Sequence, residues 1–467
     1  MTRGLRAAGG AVVVMIVTLS GAIVTAGRPG GRAQLPAALT YSNAAGVLGT
    51  LIAGGSFDQA NPFFAELGTN GRTCGTCHRP AQTWSITPSE IVDRFERTQG
   101  LDPIFRANDG SNCQSADLST VEKRRQAFSA LLHKGVIRVS LTIPPGAEFA
   151  VTAVDDPYRC GAPLTSASMY RRPLPTANLS FLSAVMWDGR DSGQGRAIRD
   201  DLITQAVEAT TGHAEGTPPS PAQLNAIVDF ELGLLAAQVR DHAAGSLSAA
   251  GATAGTASLA SQPFCIGIND PLGMRPAMPG ACLGASRRLD PVVFSLFGAW
   301  QAAASSERQA IARGEALFNT REFVIDNVPG LNGGAHDPVT GPLRKGTCTV
   351  CHDTPNVGNH SVAMALNIGI ADASRRTPDL PLYTLRNVAT GQVEQTTDPG
   401  RAMVTGKWRD VGKFKGPILR GLAARPPYFH DGSAATLMDV LAFYDKRFRI
   451  ALTDREKADL IAFLRAL

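Results

Sequence analysis

Cys74-Gly75-Thr76-Cys77-His78 and Cys348-Thr349-Val350-Cys351-His352 decide how this chain is to be read. Two cysteines three apart reach the two vinyl groups of one porphyrin and form thioethers. The adjoining histidine is then placed beneath the ring to ligate iron. A zinc site would want a second pair of ligands within about 12–20 residues. Here 271 residues separate Cys77 from Cys348. A thioredoxin-like pair would want a βαβ context, and neither motif has one. The reading is two covalently bound haem c groups, with His78 and His352 as iron ligands. The chemistry then turns on the sixth position of each iron: open, it binds peroxide or dioxygen; closed, it passes electrons.

The rest of the chain agrees with an exported protein. Arg3 and Arg6 precede a mostly apolar run over residues 11–26, with Val24 and Ala26 as small residues before a cleavage point. That predicts a signal peptide over 1–26 and a periplasmic or exported mature chain. The apolar run is shorter than the roughly 20 residues of a membrane span, so no span is expected after cleavage. Cys113, Cys160, Cys265 and Cys282 remain outside the motifs, an even number that predicts disulfides in an exported chain. Three pairings are open; Cys113–Cys160 with Cys265–Cys282 is favoured because each closes a loop within one region. The net charge is +5 and no Lys/Arg block stands out, which gives no case for nucleic acid.

With 467 residues the chain exceeds one ordinary core. The expected order is a leader over 27–55, an N-terminal haem domain over 56–242, a small-residue linker or insertion over 243–289, and a C-terminal haem domain over 290–467. The fold expected is mainly α: two cytochrome c-like domains with long loops and little β. Thr87-Pro88-Ser89-Glu90 and Thr453-Asp454-Arg455-Glu456 each open a helix as a capping box. The second helix turns Leu460, Phe463, Leu464 and Leu467 to one apolar side. Residues 136–143 are the best strand candidate.

Three further segments resemble the bacterial di-haem cytochrome c peroxidases and MauG-like proteins. Residues 412–420 (GKFKGPILR), 427–432 (PYFHDG) and 435–444 (ATLMDVLAFY) match the C-terminal domain of that group. Asn178, Met186-Trp187-Asp188-Gly189-Arg190 and Gln205 match its N-terminal domain. The resemblance implies that the first haem reduces hydrogen peroxide and the second stores and relays an electron, with Trp187 between them. It also implies one calcium ion, held by Asn178 and the carbonyls of Arg425 and Pro427. It places the distal acid–base group at Glu215, ten residues after Gln205, with His213 beside it as the alternative.

Two departures matter. Typical members close the first haem with a histidine soon after the motif, yet no histidine lies between His78 and His133. The first iron is therefore expected to be open. Typical members ligate the second iron with Met, 17 residues after the Pro that matches Pro427; here that position is Tyr444, as in MauG-like proteins, with Met403 or His360 as rival. Phenolate favours ferric iron where thioether favours ferrous. Three functions stay in view: a peroxidase fed by a small redox protein, a MauG-like oxidase or oxygenase acting on a protein or hydrophobic substrate, and a pure di-haem electron carrier.

Overall fold

The computed structural model describes residues 34–467 except 36, 54, 56, 193–194, 274–277, 284–288 and 334–344. The expected signal peptide lies outside the described residues. Among these residues there are eleven α-helices but also fifteen strands. The expectation of a mainly α chain with little β is thereby corrected.

The physical reason is visible in the largest sheet, which orders strands Ala38–Asn43, Gly46–Ile52, Leu234–Asp241 and Gly245–Ser246, all antiparallel. Gly46–Ile52 and the first half of Leu234–Asp241 are buried on nearly every residue. Strands covered on both faces lose the alternation that marks a strand in sequence. Elsewhere Phe149–Asp155 pairs with Leu382–Asn387, which in turn pairs with Val393–Thr396. A ladder between segments more than 200 residues apart leaves no local trace in the sequence. The one expected strand is present as Ile137–Thr142, paired with Ser166–Arg171.

The helices keep closer to expectation. Pro88–Thr98 begins with proline after Thr87, although the Thr87 hydroxyl lies 3.0 Å from Ser89 Oγ and does not cap the helix. At Asp454–Ala466 both arms of the box form: Thr453 N–H donates to Glu456 Oε2 at 2.8 Å, and Glu456 N–H donates to Thr453 Oγ1 at 3.3 Å. This helix buries Leu460, Phe463, Leu464 and Leu467 against Phe294, Phe297, Trp300 and Phe318. Each such side chain contributes about 1.5–3 kcal/mol of burial. The resulting cluster backs the second haem motif through Val350.

Both favoured disulfides, Cys113–Cys160 and Cys265–Cys282, are formed. Cys74, Cys77, Cys348 and Cys351 stay unpaired. In the small-residue stretch Leu247, Ala252, Ala254 and Leu259 are buried. Among the described residues no helix is long and apolar enough to cross a membrane.

Candidate active site

Each motif presents its histidine in the same way. The first is a single helical turn, Cys74–Cys77, steadied by Thr73 N–H donating to Thr76 Oγ1 at 2.9 Å. His78 then donates Nδ1–H to the Trp84 carbonyl at 2.9 Å. In the second motif His352 donates Nδ1–H to the Gly358 carbonyl at 2.6 Å. A histidine held through Nδ1 to a carbonyl offers Nε2 as a lone pair, the tautomer that ligates a metal. Burial keeps both rings neutral: it pushes His78 down to about 4 and lowers His352 as well. Gly358 can turn its carbonyl this way because its φ is +80°, and a Cβ there would lie 2.8 Å from Phe294.

Two cavities open above these histidines. The first encloses roughly 1530 Å³, open solvent included, and is walled by Cys74, Cys77 and His78. The second encloses roughly 1740 Å³ and is walled by Cys348, Cys351 and His352. Arg172, Trp187 and Lys415 line both, so the cavities share a wall. The residues fit haem c. Burial pushes Cys74, Cys348 and Cys351 up to about 12, which keeps them as thiols, the form that adds to a vinyl group. Arg172 and Lys415 are buried and Arg425 is half-buried; none pairs with a carboxylate among the described residues, and the buried Arg425 Nε has no hydrogen-bond partner. Buried cations without counter-charge suit a ligand that brings carboxylates. No cluster of three or more His, Cys, Asp or Glu suited to a metal ion exists among the described residues.

The first cavity brings together Gln205, Trp187 and His213, but not Glu215. The helix Ile198–Glu208, which carries Gln205, widens into a π-helical turn over Ala209–His213. Such turns recur at functional sites. That turn delivers His213 to the cavity. Three side chains hold its carbonyl: Asn70 Nδ2 donates at 2.8 Å, Arg72 Nη1 at 3.1 Å and Asn108 Nδ2 at 3.2 Å. Its ring Nδ1 bonds Asp109, whose other oxygen takes Arg72. Burial alone would raise the Asp109 carboxyl, but His213 and Arg72 hold it below its ordinary value. Glu215 instead accepts from Asn70 Nδ2 at 3.1 Å. Arg72 and Asp109 carry no motif and are absent from the sequence reading. His133 is exposed on the helix Ser129–Lys134. Apart from His213, the first cavity offers Met186 as a further soft ligand, and that side chain packs on the cluster around Leu179 and Ile418.

In the second cavity Tyr444 lies in the wall, while Met403 is absent from it. Met403 packs among Phe149, Val151 and Trp408. His360 lies 2.5 Å from Asp353 Oδ2 and lines neither cavity. Trp187 donates Nε1–H to the Arg172 carbonyl at 2.8 Å and stands edge-on to His430, ring centroids 6.3 Å apart. Of the residues expected to hold calcium, Asn178 is anchored to the sheet: its Oδ1 accepts from Ala236 N–H at 2.9 Å and its Nδ2 donates to the Ala236 carbonyl at 2.8 Å.

No family model matches the chain. It is similar to cytochrome-c peroxidase IdrP1 of Denitromonas iodatirespirans, 30% identical over 142 residues, which is 26% of this chain and 37% of that protein. It is also similar to cytochrome c551 peroxidase of Nitrosomonas europaea, 31% identical over 127 residues, 27% of this chain and 32% of that protein. The match thus spans about a third of each relative's length. Among solved structures a MauG-like protein associated with microbial copper homeostasis aligns over 87% of this chain and 86% of its own, at 16% identity and a TM-score of 0.40. The resemblance read from the motifs is borne out by the curated relatives: the chain is related to the cytochrome-c peroxidases.

Proposed function

We propose that this protein is an exported di-haem c-type peroxidase that reduces hydrogen peroxide to water in the His78 cavity, with electrons relayed from the His352 cavity. The observation that carries the reading is the shared wall: two cavities, each with a Cys-x-x-Cys-His turn, meet at Trp187. We assign the first cavity chiefly to an N-terminal haem domain, 56–242, with Lys415 and Ile418 reaching in, and the second chiefly to a C-terminal haem domain, 290–467, with Ser85, Arg172 and Trp187 reaching in. A small redox protein outside the cytoplasm serves as donor.

Haem iron, when bound, supplies the peroxide-binding and electron-accepting chemistry. The chain supplies the proton chemistry. His213, bonded through Nδ1 to Asp109, has Nε2 available to take a proton from peroxide and return it to the departing oxygen. Asp109 orients that ring and Arg72 fixes Asp109. Gln205 stands in the same cavity as a second polar contact for the substrate. Trp187, which lines both cavities, offers the electron an aromatic route through the common wall.

One observation favours a MauG-like oxidase as the second reading. Tyr444, rather than a thioether, reaches the second cavity. A phenolate there lowers the potential and suits the site to holding an oxidising equivalent rather than taking electrons from a cytochrome. Replacing Tyr444 by Met is expected to raise the potential of the second haem. A redox titration that superimposes on the parent protein removes Tyr444 as the ligand.

The reading itself is tested by mixing reduced small cytochrome with peroxide and protein, and by following inter-haem electron transfer in the Trp187→Phe variant. Peroxide-dependent oxidation of the donor is expected, together with slower transfer in the variant and an unchanged peroxide-binding spectrum. Equal inter-haem rates in the two proteins take Trp187 off the path; no donor oxidation at all contradicts the peroxidase.

A further inference from the structure

Arg172 stands where the two cavities meet, and its side chain is nearly closed off from solvent. Its guanidinium donates to four backbone carbonyls. Nη1 reaches Lys134 and Gly135, each at 3.2 Å, and Nη2 reaches Arg425 at 3.4 Å and Pro426 at 3.5 Å. No carboxylate pairs with it among the described residues. The seat is built for it: Gly135 has φ +61°, and a Cβ there would lie 2.1 Å from Nη1. Any other residue at 135 would push the guanidinium out. A buried charge with only neutral partners is costly unless an anion arrives to balance it.

Carbonyl oxygens around one positive centre are also what a calcium ion requires. The ligands that the family resemblance offers for calcium do not fit one here. The Arg425 carbonyl already accepts from Arg172, and Asn178 Oδ1 already accepts from Ala236 N–H. Half-buried Arg425 and buried Lys415 add further positive charge to the same region, so a divalent ion beside them would meet repulsion.

We infer that Arg172 is the cation joining the two haem sites, seated in place of a metal ion, with haem carboxylates as its counter-charge. This rests on the di-haem reading above. The same residue also places Trp187, but through its main chain: Arg172 N–H donates to the His430 carbonyl at 2.6 Å, and its own carbonyl accepts from Trp187 Nε1. Changing the side chain therefore separates charge from position. Ferric iron carries one more positive charge than ferrous, so a fixed cation nearby favours reduction. Removing it lowers the potential of each haem it faces.

The test uses the intact haem-loaded protein. Haem is counted first, on denatured protein. Calcium content is then measured after dialysis against a chelator, and both midpoint potentials are titrated in the parent, Arg172→Gln and Arg172→Lys. Two haems per chain are expected, with no stoichiometric calcium and no effect of the chelator on spectrum or potentials. Both potentials fall in Arg172→Gln and return toward the parent in Arg172→Lys. One tightly bound calcium per chain whose removal shifts either potential overturns the inference, and this arm decides even if Arg172→Gln does not assemble. Potentials in Arg172→Gln equal to the parent's also overturn it, with the di-haem reading intact. Fewer than two haems per chain overturns that reading and the inference with it.

Discussion

His213→Gln is expected to slow peroxide turnover by about 10²–10⁴-fold, the range for loss of a positioned acid–base group. Glutamine keeps the size and a hydrogen bond but cannot carry the proton between the two peroxide oxygens. Asp109→Asn should lose part of the same factor, because the imidazole is no longer held in one tautomer, and it should also shift the pH profile of cyanide binding. Glu215→Gln is the comparison. Its carboxylate bonds Asn70 and does not line the cavity, so its loss acts only through the Asn70 contact. Stopped-flow mixing with peroxide measures all three. If Glu215→Gln costs more than His213→Gln, the base is Glu215 and the assignment from geometry is wrong.

Arg171→Met is expected to cost about 3–5 kcal/mol of stability, the scale for stripping one partner from a buried ion pair. Arg171 is 2% exposed and bridges Asp188 and Asp398, which are 0% and 2% exposed. It thereby ties the segment carrying Trp187 to the second half of the chain. Without the guanidinium Asp188 keeps only the longer pair to Arg190, at 3.3 Å, and Asp398 only His430, at 3.7 Å. In the parent protein burial would raise both carboxyls, but Arg171 holds both below their ordinary values. A depressed folded value means the contribution is complete above the unfolded carboxylate pKa near about 4 and is lost as pH falls through the folded one. The variant should therefore lose stability at neutral pH and show a weaker acid dependence. Urea unfolding at two pH values measures this. A cost under about 1 kcal/mol would show that the network is not needed to hold the two halves together.

The parts of this site that were legible in sequence are those in which chemistry dictates local spacing. A Cys-x-x-Cys-His run must be a turn that presents its histidine. Thr453-Asp454-Arg455-Glu456 must cap, and Trp187, Gln205 and Tyr444 fall in the cavity walls where the family segments put them. What stayed hidden is what the fold assembles from far apart. Asp109 meets His213 across 104 residues, and Arg172 meets Arg425 across 253. No period or motif links such pairs. The sheet content was hidden for a related reason, since strands covered on both faces read as featureless apolar runs.

A peroxidase of this kind needs an open iron in the His78 cavity and a closed one in the His352 cavity. Low-temperature EPR of the purified ferric protein, before and after one equivalent of peroxide, tests it most directly. One high-spin and one low-spin signal are expected, with the high-spin signal lost on adding peroxide. Two low-spin signals that peroxide leaves unmoved would contradict it and point instead to an electron carrier.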